Sequence, residues 1–342
     1  KYPKFGYHFM NDKNRITKPL HKVNGRFEEI DPEKAINIIS KRLKESNPDE
    51  NAFFAGARLT NEELYLIQKM ARGAVNTNNI SSFHYLNRGQ GYQNNSTSNV
   101  PFEQIKGASK IYLIGSEINQ DNAVVGFMIH NSHKKNGIPV DLITVHSNSP
   151  MKHKVDRVVT IKSYYHFIKA INYYLLANNF ENKLFLDDQC DGFNDYKESL
   201  LKENFVDLVE KSGVPFMDLV VEFAKEINKQ MNAVIVFSEK ELSANASQEL
   251  FNLSLITGKL GKTSCGIISL KEKNNSEGLF NMGIKPGIGV GGVSINDPDL
   301  RKKLQEKWKV KSIPEFENNS MFTHLETGKL KNMLIFGEDP LG

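Results

Sequence analysis

A chain of 342 residues is too long for one ordinary hydrophobic core and fits two domains of typical size. Hydrophobic residues make up 39% and charged residues 25%, which excludes the disordered and collagen-like classes. The net charge of +4 is small, and Lys and Arg alternate with acids, as in Lys41-Arg42-Leu43-Lys44-Glu45, so no nucleic-acid partner is indicated. Along the chain, apolar runs of four to six residues alternate with longer segments of helical period, the pattern of a parallel sheet covered by helices. Ala52-Phe53-Phe54-Ala55-Gly56 reads as a buried strand, and residues 61–71 as a helix that Asn61 caps. Lys110-Ile111-Tyr112-Leu113-Ile114-Gly115, a helix over 124–135 and Val140-Asp141-Leu142-Ile143-Thr144-Val145 repeat that unit, with a crossover long enough to make the strands parallel.

Val158-Val159-Thr160-Ile161 predicts a further short strand, and residues 164–229 are helical by period, broken at Asp187-Asp188 and Gly213-Val214-Pro215. A second sheet signal begins at Ala233-Val234-Ile235-Val236-Phe237, and a helix over about 246–257 ends at Gly258 and Gly261, where glycine takes the left-handed conformation cheaply. Residues 276–297, rich in Gly and Asn, read as a long ordered loop. The run Gly287-Ile288-Gly289-Val290-Gly291-Gly292 within it lacks the strand-to-helix context of a phosphate cradle. A charged helix over 298–308 and a closing strand over 331–337 complete the pass.

Cys190 and Cys265 are the only cysteines, too few and too far apart for an iron–sulfur cluster or a structural zinc, and such sparse usage fits a reducing cytoplasm. The pair His130-x-x-His133 has a helical metal spacing, yet no third ligand accompanies it, so no metal site is predicted. No run of about 18 apolar residues occurs, so no direct membrane span is expected. The chain starts without methionine and stops just after an apolar run, and it reads as a piece excised from a longer protein.

Several segments together resemble the central part of the molybdopterin oxidoreductase family, which includes formate dehydrogenase catalytic subunits and the large iron–sulfur chain of NADH:quinone oxidoreductase. They are Asn14-Arg15-Ile16-Thr17-Lys18-Pro19-Leu20, Gly25-Arg26-Phe27-Glu28-Glu29-Ile30, Arg58-Leu59-Thr60-Asn61-Glu62-Glu63, Ile256-Thr257-Gly258-Lys259-Leu260-Gly261-Lys262, Asn274-Asn275-Ser276-Glu277-Gly278-Leu279-Phe280-Asn281-Met282-Gly283 and Gly337-Glu338-Asp339-Pro340-Leu341. Each is weak alone, but they fall in family order across nearly the whole chain. The resemblance implies an α/β fold of two three-layer αβα domains with mainly parallel sheets, one inserted into the other. The outer domain is then residues 1–84 and 232–342, and the inserted, Rossmann-like domain is residues 85–231.

The stretch Thr77-Asn78-Asn79-Ile80-Ser81-Ser82-Phe83-His84-Tyr85-Leu86-Asn87 resembles the one that delivers the metal-binding cysteine or selenocysteine of formate-dehydrogenase-like members. Here the ligand position carries Asn87, a neutral amide and a far weaker donor to a high-valent metal than a thiolate. Tyr85 and Arg88 are its neighbours; no catalytic residue and no metal ligand is assigned. The strand-end turn at Gly115 and Ser116 corresponds to the one that family members use for the dinucleotide part of a molybdopterin guanine dinucleotide. Glu117 then adds a carboxylate beside that position, which is unfavourable for a pyrophosphate. Asn274, Asn275, Gly278, Gly337, Glu338 and Asp339 are the other cofactor-facing candidates that the resemblance supplies.

Three functions stay open at this point. The first is a scaffold region of a homologue of the NADH:quinone oxidoreductase large chain. In that reading the metal site is degenerate, any pterin is vestigial or retained, iron–sulfur clusters lie in a preceding region, and other subunits of a redox complex are the partners. Its location is cytoplasmic, peripheral to a membrane through the complex. The second is a formate-dehydrogenase-like oxidoreductase with a non-thiolate metal ligand, and the third a non-redox nucleotide-binding module.

Overall fold

The computed structural model describes residues 12–86, 100–115, 117–317 and 321–340. The chain divides into two compact units, one drawn from the chain up to Phe83 and again from Gly278 onward, the other from His84–Glu277. In the first unit, β1 (Leu20–Val23) and β2 (Arg26–Glu29) form an antiparallel hairpin. Its two-residue turn needs positive φ twice, which Asn24 (49°) and Gly25 (84°) supply. Helix α1 (Pro32–Glu45) starts where Asp31 accepts the Glu33 N–H and Pro32 opens the first turn. After β3 (Asn51–Ala55), α2 (Asn61–Lys69) is capped by Thr60 rather than Asn61, because Thr60 and Glu63 exchange bonds in a capping box. The chain then runs through a π-helical turn at Met70–Ala74 to β4 (Ile80–Ser81).

The second unit contains β5 (Lys110–Ile114), α3 (Ala123–Asn136), β6 (Val140–Thr144) and β7 (Arg157–Thr160). A helical stretch follows: α4 (Tyr164–Ala177), α5 (Lys183–Gln189), α6 (Phe193–Leu201), α7 (Phe205–Ser212) and α8 (Met217–Lys229). The chain closes this unit with β8 (Ala233–Ser238), α9 (Ala244–Ile256) and β9 (Gly266–Leu270). All five strands are parallel, in the order β7-β6-β5-β8-β9. Alternation along the strands separates two cores. Tyr112, Ile114, Ile143, Ile235 and Phe237 pack with the large helices, including Phe167 and Ile171 of α4, Phe223 of α8 and Leu250 of α9. Ile111, Leu113, Val140, Leu142, Val234 and Val236 pack on the other face with Val125 and Ile129 of α3. The α/β reading with mainly parallel sheets flanked by helices therefore holds.

The boundary at 232 does not coincide with the observed division. Residues 233–237 pair with β5, and residues 234–238 carry β9 on their other edge, so 233–277 fall with the second unit. The sequence cannot signal this, because a fully buried parallel strand reads the same whichever sheet receives it. Residues 276–297 also differ from a plain loop, holding a short helix, α10 (Ser276–Asn281). Beyond it come α11 (Pro298–Trp308), α12 (Met321–Glu326) and β10 (Asn332–Phe336), which pairs parallel with β3 to give the order β10-β3-β4.

One buried cation fastens the glycine-rich segment of this first unit. Arg72 is fully buried and donates to Asn78 Oδ1 (2.8 Å), Gln68 Oε1 (2.8 Å), Gly283 O (3.0 Å), Lys285 O (2.7 Å) and Pro286 O (3.0 Å). Burial pulls its pKa down to about 9, and these five oxygens hold the guanidinium charge that neutral surroundings would otherwise penalise.

Candidate functional site

In an open parallel sheet, ligands bind outside the carboxyl ends of the strands, where the connections leave in opposite directions. In the second unit that point lies between β5 and β8, whose ends meet at Ile114 and Phe237. Gly115 follows with φ of 122°, a conformation that favours glycine, and a Cβ there would lie 3.1 Å from Glu241 Oε1. The same Glu241 oxygen accepts the Glu117 backbone N–H at 2.9 Å, and its other oxygen accepts the Tyr164 hydroxyl at 3.2 Å. Burial, then the charge of Glu241, raises the Tyr164 pKa, so its hydroxyl stays a donor. Lys240 bridges Glu117 Oε2 (3.2 Å) and Asp121 Oδ2 (3.1 Å) in front of the turn.

One strand further along, the edge carries a buried polar cluster. Glu239, wholly buried, accepts the Tyr85 hydroxyl at 3.1 Å and the Glu272 N–H at 2.9 Å, while Lys271 Nζ stands 3.9 Å away. Burial lowers the Lys271 pKa, and Glu239 and Glu277 work against that fall. The Tyr85 hydroxyl also bonds Ser276 Oγ, whose own hydroxyl donates to Lys273 O at 3.0 Å. His84 pairs with Glu272 at 3.1 Å. Beside this cluster is a polar cavity of about 370 Å³ lined by Asp121, Ser238, Lys240, Lys271, Lys273 and Asn274 among others.

Among the candidates in the first unit, Glu338 accepts the Phe83 N–H at 2.9 Å and a bond from Ser82 Oγ. Gly337, with φ of 61°, lies against Leu59 and Gly56, where a side chain on either glycine would collide with its neighbours. The Gly278 carbonyl accepts the Met282 N–H at 2.8 Å as part of α10. Asp339 follows β10 in an exposed position, and Asn275 lies between Asn274 of the cavity wall and Ser276.

Asn87, Arg88 and Ser116 lie outside the described residues. The structure thus groups Tyr85, Gly115 and Asn274 along one edge of the five-stranded sheet, while Gly337 and Glu338 pack in the other unit. Sequence reading assigned no site role to Glu239, Glu241, Tyr164, Lys271 or Ser276. The available signal was a pair of acids directly after a wholly apolar run, Phe237-Ser238-Glu239-Lys240-Glu241, since such charges must find partners at a strand end. The histidine pair resolves separately: His133 faces Ile138 O (3.1 Å) and Asp156 (3.4 Å), and no group of three His, Cys, Asp or Glu able to hold a metal occurs among the described residues. No helix among them is long and apolar enough to cross a membrane.

Comparison with known proteins agrees with this layout. The family described as molybdopterin oxidoreductase matches residues 15–340. Proteins named "Putative formate dehydrogenase" from Staphylococcus aureus strain USA300 and from the bovine strain RF122 are each 28% identical over 357 aligned residues. The alignments cover 98% of this chain and 36% of those proteins, so the chain spans about a third of their length. The solved structure of acetylene hydratase from Pelobacter acetylenicus superposes with a TM-score of 0.59 at 16% identity, over 75% of this chain and 37% of that one, which is a likeness of fold. With its parallel sheets, its crevice at the strand ends and a match across nearly its whole length, this chain belongs to the molybdopterin oxidoreductase family.

Proposed function

We propose that this chain is the scaffold region of a redox-complex subunit, akin to the large chain of NADH:quinone oxidoreductase, in which the family fold is kept and the metal centre is lost. The single observation that carries the reading is the amide of Asn87 at the position where the family places its thiolate. Neither thiol of the chain takes over that role. Cys265 immediately precedes β9, at the other end of the strands from Glu239 and Tyr85, and Cys190 follows α5 beside a cavity lined by Leu186, Phe193, Tyr196 and Asn252 among others. Electrons then pass through iron–sulfur clusters outside this chain, and its surface packs on other subunits.

Membership implies a molybdopterin cofactor. Gly115 and Glu117 do not fit the phosphate end of its dinucleotide form, because the Glu117 amide is already bonded to Glu241 and the Glu117 side chain adds a second carboxylate. We therefore assign Tyr85 and Glu338 to positioning the segment that leads to Asn87, and no chemical step is routed through a pterin.

A second reading, a formate-dehydrogenase-like oxidoreductase with a non-thiolate ligand, is favoured by the name of the Staphylococcus aureus relatives. Elemental analysis of the full-length protein separates the two. The scaffold reading expects molybdenum and tungsten far below one per chain and no formate-dependent dye reduction; one metal per chain with formate oxidation sinks it.

A further inference from the structure

We propose that Glu241 is a built-in anion that fills the phosphate position at the switch point of the five-stranded sheet, so that this crevice does not accept a pyrophosphate. The inference goes beyond the scaffold reading and stands whether or not a metal is retained, since it concerns one carboxylate and the donors around it.

Three features of the site carry it. Two described residues after β5 suit the approach of an anion: Gly115 at φ of 122° permits close contact, and the Glu117 amide points at the approaching group. The group that has approached is a carboxylate of this chain. Glu241 reaches the turn from the loop after β8, 124 residues later, and divides its two oxygens between the Glu117 amide (2.9 Å) and the Tyr164 hydroxyl (3.2 Å). Such a carboxylate makes the bonds that two phosphate oxygens would make, and it is covalently tethered, so an external anion must displace it against its high local concentration.

The charges around the crevice act in the same direction. Lys240 stands at the turn with its charge shared between Glu117 and Asp121. Glu117 and Asp121 bind that ammonium and Glu241 occupies the Glu117 amide, so a pyrophosphate approaching that amide meets the charge of Glu241 directly. Lys271 and Lys273 line the same cavity as Asp121 and Lys240, and each has a carboxylate beside it, Glu239 for Lys271 and Glu272 for Lys273.

The test uses the full-length protein and its E241A and E241Q variants, with inorganic pyrophosphate and guanosine diphosphate as probes in titration calorimetry. Exchange of the Glu117 amide proton is followed in parallel. Wild type is expected to show no saturable binding of either probe and a slowly exchanging Glu117 amide. E241A should gain binding about tenfold to a hundredfold tighter than any wild-type response, the range that follows from removing one like charge at close distance. E241Q should gain less, because it keeps the shape and loses only the charge. Wild type binding either probe as tightly as E241A overturns the proposal, and so does a Glu117 amide that exchanges as fast in wild type as in E241A. If E241A does not fold, E241Q and the wild-type amide decide: added pyrophosphate that changes wild-type exchange at Glu117 refutes the proposal, and an unaltered amide sustains it. Metal content bears only on the scaffold reading, so the two can fail separately.

Discussion

The two ends of the five-stranded sheet treat charge in opposite ways. At the amino ends, Lys110 of β5 pairs with Asp141 of β6 at 3.0 Å and with Glu226 of α8, while Arg157 of β7 binds Asp141 and, at 2.6 Å, Glu226. Two cations and two anions close on one another, and the Asp141 side chain is only 2% exposed. At the carboxyl ends, the described acids Glu117, Asp121, Glu239, Glu241 and Glu272 stand with Lys240, Lys271 and Lys273 around a crevice and a cavity. The first arrangement is a neutral staple that fixes strand register. The second spreads charge where the parallel fold places ligands, and this chain has turned one of those charges inward as Glu241.

The largest effect should come from cutting the staple. D141A removes the shared anion and leaves Lys110 and Arg157 leaning on Glu226 alone, with an expected loss of about 3–5 kcal/mol of unfolding free energy in urea titration. A loss under about 1 kcal/mol would mean that solvent already screens this end and that the contrast between the two ends is false. At the opposite end, Y85F withdraws one hydroxyl from Glu239 and Ser276, and we expect about 1–3 kcal/mol in the same titration, because a buried carboxylate loses a donor. If Y85F were neutral, the tie between the segment before Asn87 and the strand ends would carry no energy.

The smallest effect is one of pH. At Glu226, burial raises the pKa and is the largest single influence, but the Lys110 hydrogen bond and the charges of Arg157 and Lys110 together outweigh it and hold the carboxyl below its ordinary value of 4.5. A folded-state pKa below the unfolded one means a stabilisation that is fully present above about pH 4.5 and is lost as pH falls through the folded value. Melting temperature followed from neutral pH downward should therefore drop on the acid side. E226Q should shallow that drop and cost about 1 kcal/mol at neutral pH, a small figure because the group is partly exposed. An acid limb of equal steepness in E226Q assigns the transition to other carboxylates.

Much of the fold was legible locally. The buried run at residues 110–114 and the helix beginning at Pro298 are set by period and by caps within a few residues, and they appear where the sequence places them. The cap of α2 was legible one residue off, since Thr60 and Glu63 form a reciprocal pair that outranks Asn61. The site was legible only in part. Gly115 and Asn274 lie at the strand ends, but nothing near Glu239 or Glu241 in sequence tells which amide or hydroxyl each will meet.

By itself, the sequence determined the alternation of strands and helices, the order of family segments, and the amide at position 87 in place of a thiol. The tertiary structure alone decided that residues 233–270 join the sheet of the second unit, that Arg72 holds carbonyls more than two hundred residues away, and that Glu241 seats on the amide of Glu117. The physical reason is one of range. Periodicity and capping are settled within one or two turns of chain, whereas the partner of a buried charge is chosen by whatever the folded chain brings within hydrogen-bonding distance.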